Sequence, residues 1–317
     1  MGINDLLPSV KQIVRHGHIS LFSGKIIAID GYVWLHRSAF ACAKQLLEDP
    51  STPLILNYCK KNIEMLKSNG LRPYFVFDGR PLPGKAETNK ERKEVRENAK
   101  KSIESGESDD QMTYAKTVTI THATVKVLVA YLKEISIPYI VAPFEADAQL
   151  SYLCRNNYAD IVLTEDTDLI CYKSPITLFK LDSKGNVDYV IYQELIDFLG
   201  LSSDQFTQFC ILITDVYGKH IRMMGFKTAL DLMKKFGDAH QVIEYARSKP
   251  KFTVPEGYEQ TFDQSYLIFN HQIVYDPNSE STVHLTPTTS NNPIMGSIMS
   301  GDILKKLVTG EIDPFTV

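Results

Sequence analysis

The chain has 317 residues, a formal net charge of −4 and a hydrophobic content of 44%. Its length allows one large domain or two small ones, and no apolar run is long enough to cross a membrane, so we expect a globular protein without a membrane partner. The net negative charge argues only weakly against a nucleic-acid partner, because only the contact face must be positive.

Cysteine usage indicates a reducing environment. The five cysteines form no CxxC pair and are odd in number, and the N-terminus lacks the apolar stretch of a secretory signal peptide. We therefore expect reduced core cysteines in an intracellular protein, with no zinc site. The residues are Cys42, Cys59, Cys154, Cys171 and Cys210.

Four short apolar runs end in acidic residues. They are residues 25–30 with Asp30, residues 73–78 with Asp78, residues 138–147 with Glu145 and Asp147, and residues 160–168 with Asp166 and Asp168. Each run is typical of a buried strand. Helical patterns lie between and beside them, at residues 32–47, 54–69, 121–135 and 146–156. This alternation predicts an α/β fold with a mainly parallel central sheet flanked by helices.

The six carboxylates are predicted to meet at one edge of that sheet, because ligands bind beyond the carboxyl ends of parallel strands. Any one of them could instead cap a helix, and for a single acid the two interpretations are about equal. Six gathered acids repel one another, so a bound cation explains the whole set better than capping does. Oxygen ligands alone indicate Mg²⁺ or Mn²⁺, and two ions would suit hydrolysis of a phosphodiester.

A charged segment at residues 85–101 follows the Asp78 strand end. If it is helical, Lys85, Arg92, Arg96 and Lys100 share one stripe and the glutamates lie opposite. A solvated helix with internal salt bridges is the ordinary explanation of such a segment. The separation of the charges by sign, beside the predicted metal site, favours a phosphate-binding surface.

Several motifs together resemble those of the structure-specific 5′ nucleases, the flap endonuclease superfamily, and are most similar to its exonuclease 1 branch. They are the N-terminal MGI, AIDGYVWLHR, VFDGRPLPGK, APFEADAQL and LTEDTDLI, in the order of the family. The resemblance implies a nuclease domain at residues 1–285, with a helical arch at about 80–120 and a helix-two-turn-helix at about 204–237. Residues 286–317 would be an extension packing back on the core, with loop at 277–296 and a helix at 298–309.

The resemblance also implies roles for individual residues. The six strand-end acids would hold two Mg²⁺ ions, and Lys85 and Arg92 would be catalytic arch residues that contact the scissile phosphate. A potassium ion could lie at the helix-two-turn-helix. The residues implied to bind DNA are Gly2, Tyr32, His36, Arg96, Lys219, Arg222, Gly225 and Lys227. For His36 alone, an ordinary surface histidine is about as common.

The implied activity is hydrolysis of DNA from 5′ ends, nicks, gaps or flaps. Such an enzyme would act in the nucleus, in DNA replication or in repair, including mismatch repair. A related alternative is an RNA-cleaving domain of the PIN type, which shares acidic strand ends. The DNA-anchoring segment after residue 205 argues against that alternative.

Residues 209–229 depart from the family pattern. Val216 stands where the family has a metal-ligating aspartate, Asp215 precedes it by one position, and Met223 replaces a turn glycine. A shift of one residue on a helix rotates a side chain by about 100°, so Asp215 cannot simply take over the role. Two explanations stay open: a compensated frameshift in the coding sequence, or real divergence towards a weak nuclease or a DNA-junction-binding protein.

Overall fold

The computed structural model describes residues 3, 6–85, 97–98, 101, 113–114, 117–214 and 219–316. A seven-stranded sheet lies at its centre, with the strands in the order β1-β7-β6-β5-β2-β3-β4. The strands are β1 (Arg15–His18), β2 (Ile26–Asp30), β3 (Arg72–Phe77), β4 (Tyr139–Val141), β5 (Ile161–Leu163), β6 (Ile176–Phe179) and β7 (Asn186–Ile191).

Most of this sheet is parallel. Strands β6, β5, β2, β3 and β4 run in one direction, and β7 pairs antiparallel with both β6 and β1. The predicted α/β class with a mainly parallel sheet is therefore confirmed. A separate hairpin pairs β8 (Ile273–Asp276) with β9 (Ser281–His284).

Helices pack on the sheet, and the later ones also pack around a second buried cluster. In chain order they are α1 (Leu6–Ser9), α2 (Gly31–Ala41), α3 (Ala43–Glu48), α4 (Leu56–Ser68), α5 (His122–Glu134), α6 (Ala146–Arg155), α7 (Asp168–Cys171), α8 (Tyr192–Leu199), α9 (Ser203–Ile213), α10 (Phe226–Phe236), α11 (Ala239–Arg247), α12 (Tyr258–His271) and α13 (Gly301–Val308). In the described ranges, none of these helices is long and apolar enough to span a bilayer.

Central strand β2 shows why the acids come to lie where they do. Ile27, Ala28 and Ile29 are all fully buried, as expected for a strand with neighbours on both sides and helices on both faces. Strand β2 pairs with β3 on one side and with β5 on the other. The carboxyl end of β2, at Asp30, is therefore flanked by the carboxyl ends of β3 and β5.

Two buried clusters support this arrangement. The larger one packs helices such as α2, α4 and α5 on the sheet, and includes Trp34 and Phe75 in an edge-to-face contact with ring centroids 5.3 Å apart. The second fills the space among α8 to α12, around Phe206 and Phe209. All five cysteines are buried and free, which confirms the prediction of reduced core residues.

Three predicted elements differ from the structure in their bounds. The helix predicted at 32–47 divides at Cys42, whose φ of −130° and ψ of 32° end α2 before α3 begins. The prediction of loop at 277–296 was wrong at 281–284, where β9 forms by pairing with β8 across a short turn. The C-terminal helix is shorter than predicted, since α13 begins at Gly301.

The C-terminal segment lies against the edge strand β4. The hydroxyl of Tyr139 donates to the carbonyl oxygen of Thr309 at 2.8 Å, and the hydroxyl of Thr282 donates to that of Met299 at 2.9 Å. These contacts are compatible with an extension that packs back on the core. The boundary at 285/286 stays a prediction.

Candidate active site

All six predicted metal ligands lie at the carboxyl ends of parallel strands. Asp30 is the last residue of β2, and Asp78 directly follows β3. After β5, Asp166 lies in a loop and Asp168 is the first residue of α7. After β4, Glu145 directly precedes α6 and Asp147 lies in the first turn of that helix.

Asp30 is both a helix cap and a member of an acidic group. Its Oδ1 accepts a hydrogen bond from the Val33 backbone N–H at 3.1 Å, at the first turn of α2. Burial raises the pKa of Asp30 to about 7, and the charges of Asp78 and Asp166 add to that rise. Capping and charge gathering, which the sequence presented as alternatives, therefore occur at the same carboxylate.

Asp78 ties the end of β3 to the start of α6. Its Oδ1 accepts from the backbone N–H of Ala146 at 2.8 Å. The next residue is Gly79, where an added Cβ would come within 1.8 Å of the Ala142 carbonyl oxygen. Only glycine allows this approach of the two chain segments, so the position of Asp78 depends on the residue beside it.

The loop after β5 is shaped by its own hydrogen bonds. The Asp166 N–H donates to Oγ1 of Thr164 at 3.1 Å, and the Asp168 N–H donates to Oδ1 of Asp166 at 3.0 Å. Asp168 is 7% exposed and begins α7. The two acids therefore lie in a tight turn, to which strand periodicity does not apply.

Tyr172 lies within electrostatic range of Glu145, Asp147 and Asp168. It was not among the site residues predicted from the sequence. It is fully buried, and its hydroxyl donates to Oε1 of Gln272 at 3.1 Å. Burial raises its pKa, and the charges of Glu145, Asp147 and Asp168 raise it further. The charges of three acids therefore influence the pKa of Tyr172, and those of Asp78 and Asp166 influence the pKa of Asp30. The family motif after Asp168 was the only sequence signal near Tyr172.

The acids are within electrostatic reach of one another but do not form a closed set of ligands. Among the described residues, no group of three or more His, Cys, Asp or Glu side chains is arranged to hold a metal ion. Their oxygen donors and the raised pKa of Asp30 fit a divalent cation.

Two predicted DNA-binding residues lie on α2, next to these acids. Burial raises the pKa of Tyr32, as do the charges of Asp78, Asp313 and Asp30, which places its ring beside the acidic edge. His36 is one turn further along the helix and is exposed. The pair therefore begins at the acidic edge and continues to the surface.

A second candidate surface lies between α9 and α10. Arg222, Gly225 and Lys227 are exposed, and Lys219 is partly buried. Gly225 has a φ of −84° and no atom within 4 Å of an added Cβ, so its open side could admit a partner's backbone. Met223 is 56% exposed and has a φ of 68°, a conformation that favours glycine. The prediction that methionine replaces a turn glycine agrees with that backbone.

Several predicted residues fall outside the described part of the chain. The structure gives only the backbone of Lys85, at the end of a short 3-10 helix formed by Pro83–Lys85. Helix α9 ends at Ile213, and its cap Thr214 has an extended backbone. The rotation of about 100° per residue in a helix therefore applies only as far as Ile213. The residues outside the description are Gly2, Arg92, Arg96, Lys100, Asp215 and Val216.

Comparison with known proteins defines the class to which this fold and acidic edge belong. The profiles of the XPG N-terminal domain and the XPG I-region match residues 1–99 and 136–215. The chain is 32% identical to the DNA damage-inducible protein DIN7 of Saccharomyces cerevisiae, over 92% of this chain and 69% of that protein. The chain therefore belongs to the XPG family of 5′ nucleases.

Within that family, it groups with the exonuclease 1 proteins. It is 34% identical to exonuclease 1 of Arabidopsis thaliana and 34% identical to exodeoxyribonuclease 1 of Schizosaccharomyces pombe, in each case over 100% of this chain. The chain spans 45% and 58% of the lengths of these two proteins.

Solved structures share the fold at lower sequence identity. The catalytic core of Rad2 in complex with DNA substrate has a TM-score of 0.60, 20% identity, and coverage of 82% of this chain and 76% of that one. Flap endonuclease-1 from Methanococcus jannaschii has a TM-score of 0.58 and 23% identity, covering 84% of each chain. The junction-resolving enzyme GEN1 with product DNA and a Mg²⁺ ion has a TM-score of 0.61 and 18% identity, covering 88% and 66%.

Proposed function

We propose that this chain is a Mg²⁺-dependent 5′ to 3′ exonuclease and 5′ flap endonuclease that hydrolyses DNA phosphodiesters. The observation that carries the proposal is the buried carboxyl of Asp30, flanked by Asp78 and Asp166 at the end of three adjacent parallel strands. A group whose pKa rises to about 7 in the metal-free protein gains most from a neighbouring cation. Two divalent ions, when bound there, would activate water and stabilise the leaving oxygen.

The protein's own residues would hold the ions and the DNA. The six strand-end acids would supply the oxygen ligands, and Asp30 would give up its proton as an ion binds. Tyr32 and His36 on α2 would contact the DNA next to the cleavage position, together with Gly2. We propose Lys85 and Arg92 as the catalytic groups that neutralise the scissile phosphate, with Arg96 on the same stripe.

The surface between α9 and α10 would anchor the duplex. Lys219, Arg222 and Lys227 would contact phosphates, and the open side of Gly225 would let the backbone approach. A potassium ion could join this contact. Binding through phosphates gives specificity for DNA structure with little dependence on sequence.

The named relatives support the substrate and the metal. Rad2 was solved with DNA substrate, GEN1 was solved with DNA and Mg²⁺, and the relatives from Arabidopsis thaliana and Schizosaccharomyces pombe are named exonuclease 1 and exodeoxyribonuclease 1. We therefore propose DNA with 5′ ends, nicks, gaps or flaps as the partner. We also propose a role in DNA repair, which the name of the DNA damage-inducible relative DIN7 supports, and a nuclear location.

The test is digestion of labelled 5′-recessed and 5′-flapped duplexes with Mg²⁺ or EDTA, with matched RNA substrates alongside. The proposal predicts Mg²⁺-dependent shortening of DNA from its 5′ end and loss of that activity in Asp168→Ala. Junction binding without cleavage would instead favour a non-catalytic DNA-binding protein, for which Val216 is the sequence evidence. Preferential cleavage of RNA would favour the PIN-type alternative.

A further inference from the structure

Glu165 is an acidic residue of the acidic edge that has no role among the predicted metal ligands. It lies in the loop between β5 and α7, directly before Asp166, and its side chain is 32% exposed. Its Oε1 forms an ion pair with the Arg37 guanidinium at 2.8 Å and accepts from the Lys180 backbone N–H at 3.0 Å. The carboxylate is therefore engaged with two elements outside its own loop.

Arg37 connects this carboxylate to the helix that begins at Asp30. It lies seven residues after Asp30, two turns along α2, so both residues are on the same side of the helix. Its other guanidinium nitrogen donates to the Tyr58 hydroxyl on α4 at 3.1 Å. The Tyr58 ring packs edge-to-face on Trp34 of α2, with centroids 5.8 Å apart. The Tyr58 hydroxyl therefore also binds the Arg37 guanidinium to α4.

Lys180 adds a third element. It follows β6 with a φ of 55°, a left-handed conformation that costs a residue other than glycine about 1 kcal/mol. The hydrogen bond from its N–H to Glu165 stabilises that turn. One carboxylate therefore joins α2, the loop after β5 and the end of β6.

The loop also makes hydrogen bonds of its own. Those from the Asp166 and Asp168 N–H groups stay within it, and the Thr167 hydroxyl donates to the Ile3 carbonyl oxygen at 3.4 Å. Electrostatic repulsion between Asp30 and Asp166 acts to separate the loop from the start of α2. The ion pair of Glu165 with Arg37 opposes that separation.

We propose that Glu165 is a positioning residue, which acts with Arg37 to hold the loop of Asp166 and Asp168 against α2 and so sets the spacing of the metal ligands. This inference rests on the proposed metal-dependent function. It assigns Glu165 no contact with the metal or the DNA. Substitution of residues that orient ligands in this way commonly lowers metal affinity or activity.

Two variants test the contact between Glu165 and Arg37, and a third variant is the control. Glu165→Gln keeps an oxygen acceptor for Lys180 but removes the negative charge that attracts Arg37. Tyr58→Phe removes only the hydroxyl that holds Arg37 and retains the ring contact with Trp34. The matched control is Glu194→Gln, because Glu194 forms a 2.8 Å ion pair with Arg15 between α8 and β1.

The measurements are calorimetric binding of Mg²⁺ to the full chain, cleavage as a function of Mg²⁺ concentration, and thermal unfolding in EDTA. Glu165→Gln is expected to weaken Mg²⁺ binding by about 5- to 10-fold and to keep the rate at saturating Mg²⁺ within about 2-fold of the unmodified protein. Tyr58→Phe should shift Mg²⁺ binding in the same direction by less, and Glu194→Gln should leave it unchanged. Arg37→Gln combined with Glu165→Gln should bind Mg²⁺ no more weakly than Glu165→Gln alone.

Unchanged Mg²⁺ binding in Glu165→Gln would overturn the inference, including the case in which the variant only lowers the unfolding temperature in EDTA. That result leaves the proposed function intact if the unmodified protein binds Mg²⁺ and cleaves DNA. An unmodified protein that binds no divalent ion would overturn both.

Discussion

Asp30 shows how one carboxylate can carry opposing structural and chemical demands. It caps α2, yet its burial beside Asp78 and Asp166 raises its pKa to about 7. The folded metal-free protein therefore retains this proton at a pH where the unfolded chain has lost it. Stability of the metal-free protein should fall as pH rises from about 4 to about 7, because the folded state binds more protons across that interval.

Asp30→Asn should remove the destabilisation that follows from ionising the buried Asp30 carboxyl, because asparagine also caps helices but carries no charge. In EDTA at pH 8, we expect the free energy of unfolding to rise by roughly 2 kcal/mol, with a weaker dependence on pH, while cleavage is lost. Denaturant titration at several pH values measures this. The control is Asp238→Asn, since Asp238 caps α11 through the Gln241 N–H. An equal gain in the control would contradict the electrostatic explanation.

Val216 is the residue at which the family resemblance and this sequence disagree. If the family role can be restored, Val216→Asp should lower the Mg²⁺ concentration for half-maximal cleavage several-fold, because it adds a carboxylate oxygen ligand. Val216→Asn adds a polar group without the charge and should give a smaller change or none. Mg²⁺ titrations of cleavage by the three proteins make the comparison. Equal titrations would mean that position 216 does not reach the metal.

The turn between α9 and α10 allows a comparison of adjacent methionines. Met223 is exposed with a φ of 68°, whereas Met224 is fully buried. Glycine at 223 removes backbone strain, so Met223→Gly should be neutral or should stabilise by up to about 1 kcal/mol. Met224→Gly creates a cavity and should cost more than about 2 kcal/mol. Denaturant unfolding tests both, and destabilisation by Met223→Gly would show that its side chain stabilises the turn.

Asp276, the last residue of β8, stabilises the hairpin of β8 and β9 through hydrogen bonds. Burial alone would raise the pKa of Asp276, but bonds from the Tyr158 hydroxyl and from Ser279 lower it to about 2. Its contribution to stability should be complete above pH 4 and should be lost as pH falls towards 2. Asp276→Asn is expected to lower the unfolding free energy at pH 7 by about 1 kcal/mol and to flatten that acid dependence. Tyr158→Phe should act in the same direction, and an unaltered acid transition in both variants would contradict the assignment.

For the whole molecule, the sequence predicted the parallel strands that carry acids better than the rest of the sheet. Strands β2 and β3 are apolar runs with clear ends, so the sequence predicted both where they end and which acids lie there. The short edge strand β1 was missed because its partner β7 is distant in the sequence, and β7 was missed although it also pairs with the nearby β6. The hairpin strand β9 was missed because its sequence is polar and becomes a strand through pairing with the neighbouring β8.

The candidate site was predictable in its membership and less so in its geometry. Strand ends and motifs selected the six acids, but the compact turn at Asp166 depends on hydrogen bonds within the loop, and the burial of Tyr172 depends on tertiary packing. Glu165 could not be distinguished from its acidic neighbours, because its role depends on Arg37 at a distance of more than a hundred residues along the chain. Sequence patterns report which residues meet at an edge, and they do not report how far apart the side chains lie.

Anomalous diffraction from crystals of this chain grown with Mn²⁺ would locate the metal ions. We predict Mn²⁺ peaks beyond the carboxyl ends of β2, β3 and β5, within about 2.2 Å of oxygens from Asp30, Asp78 and the acids that follow β4 and β5. Peaks elsewhere, or no peak at this edge in crystals with millimolar Mn²⁺, would contradict this prediction.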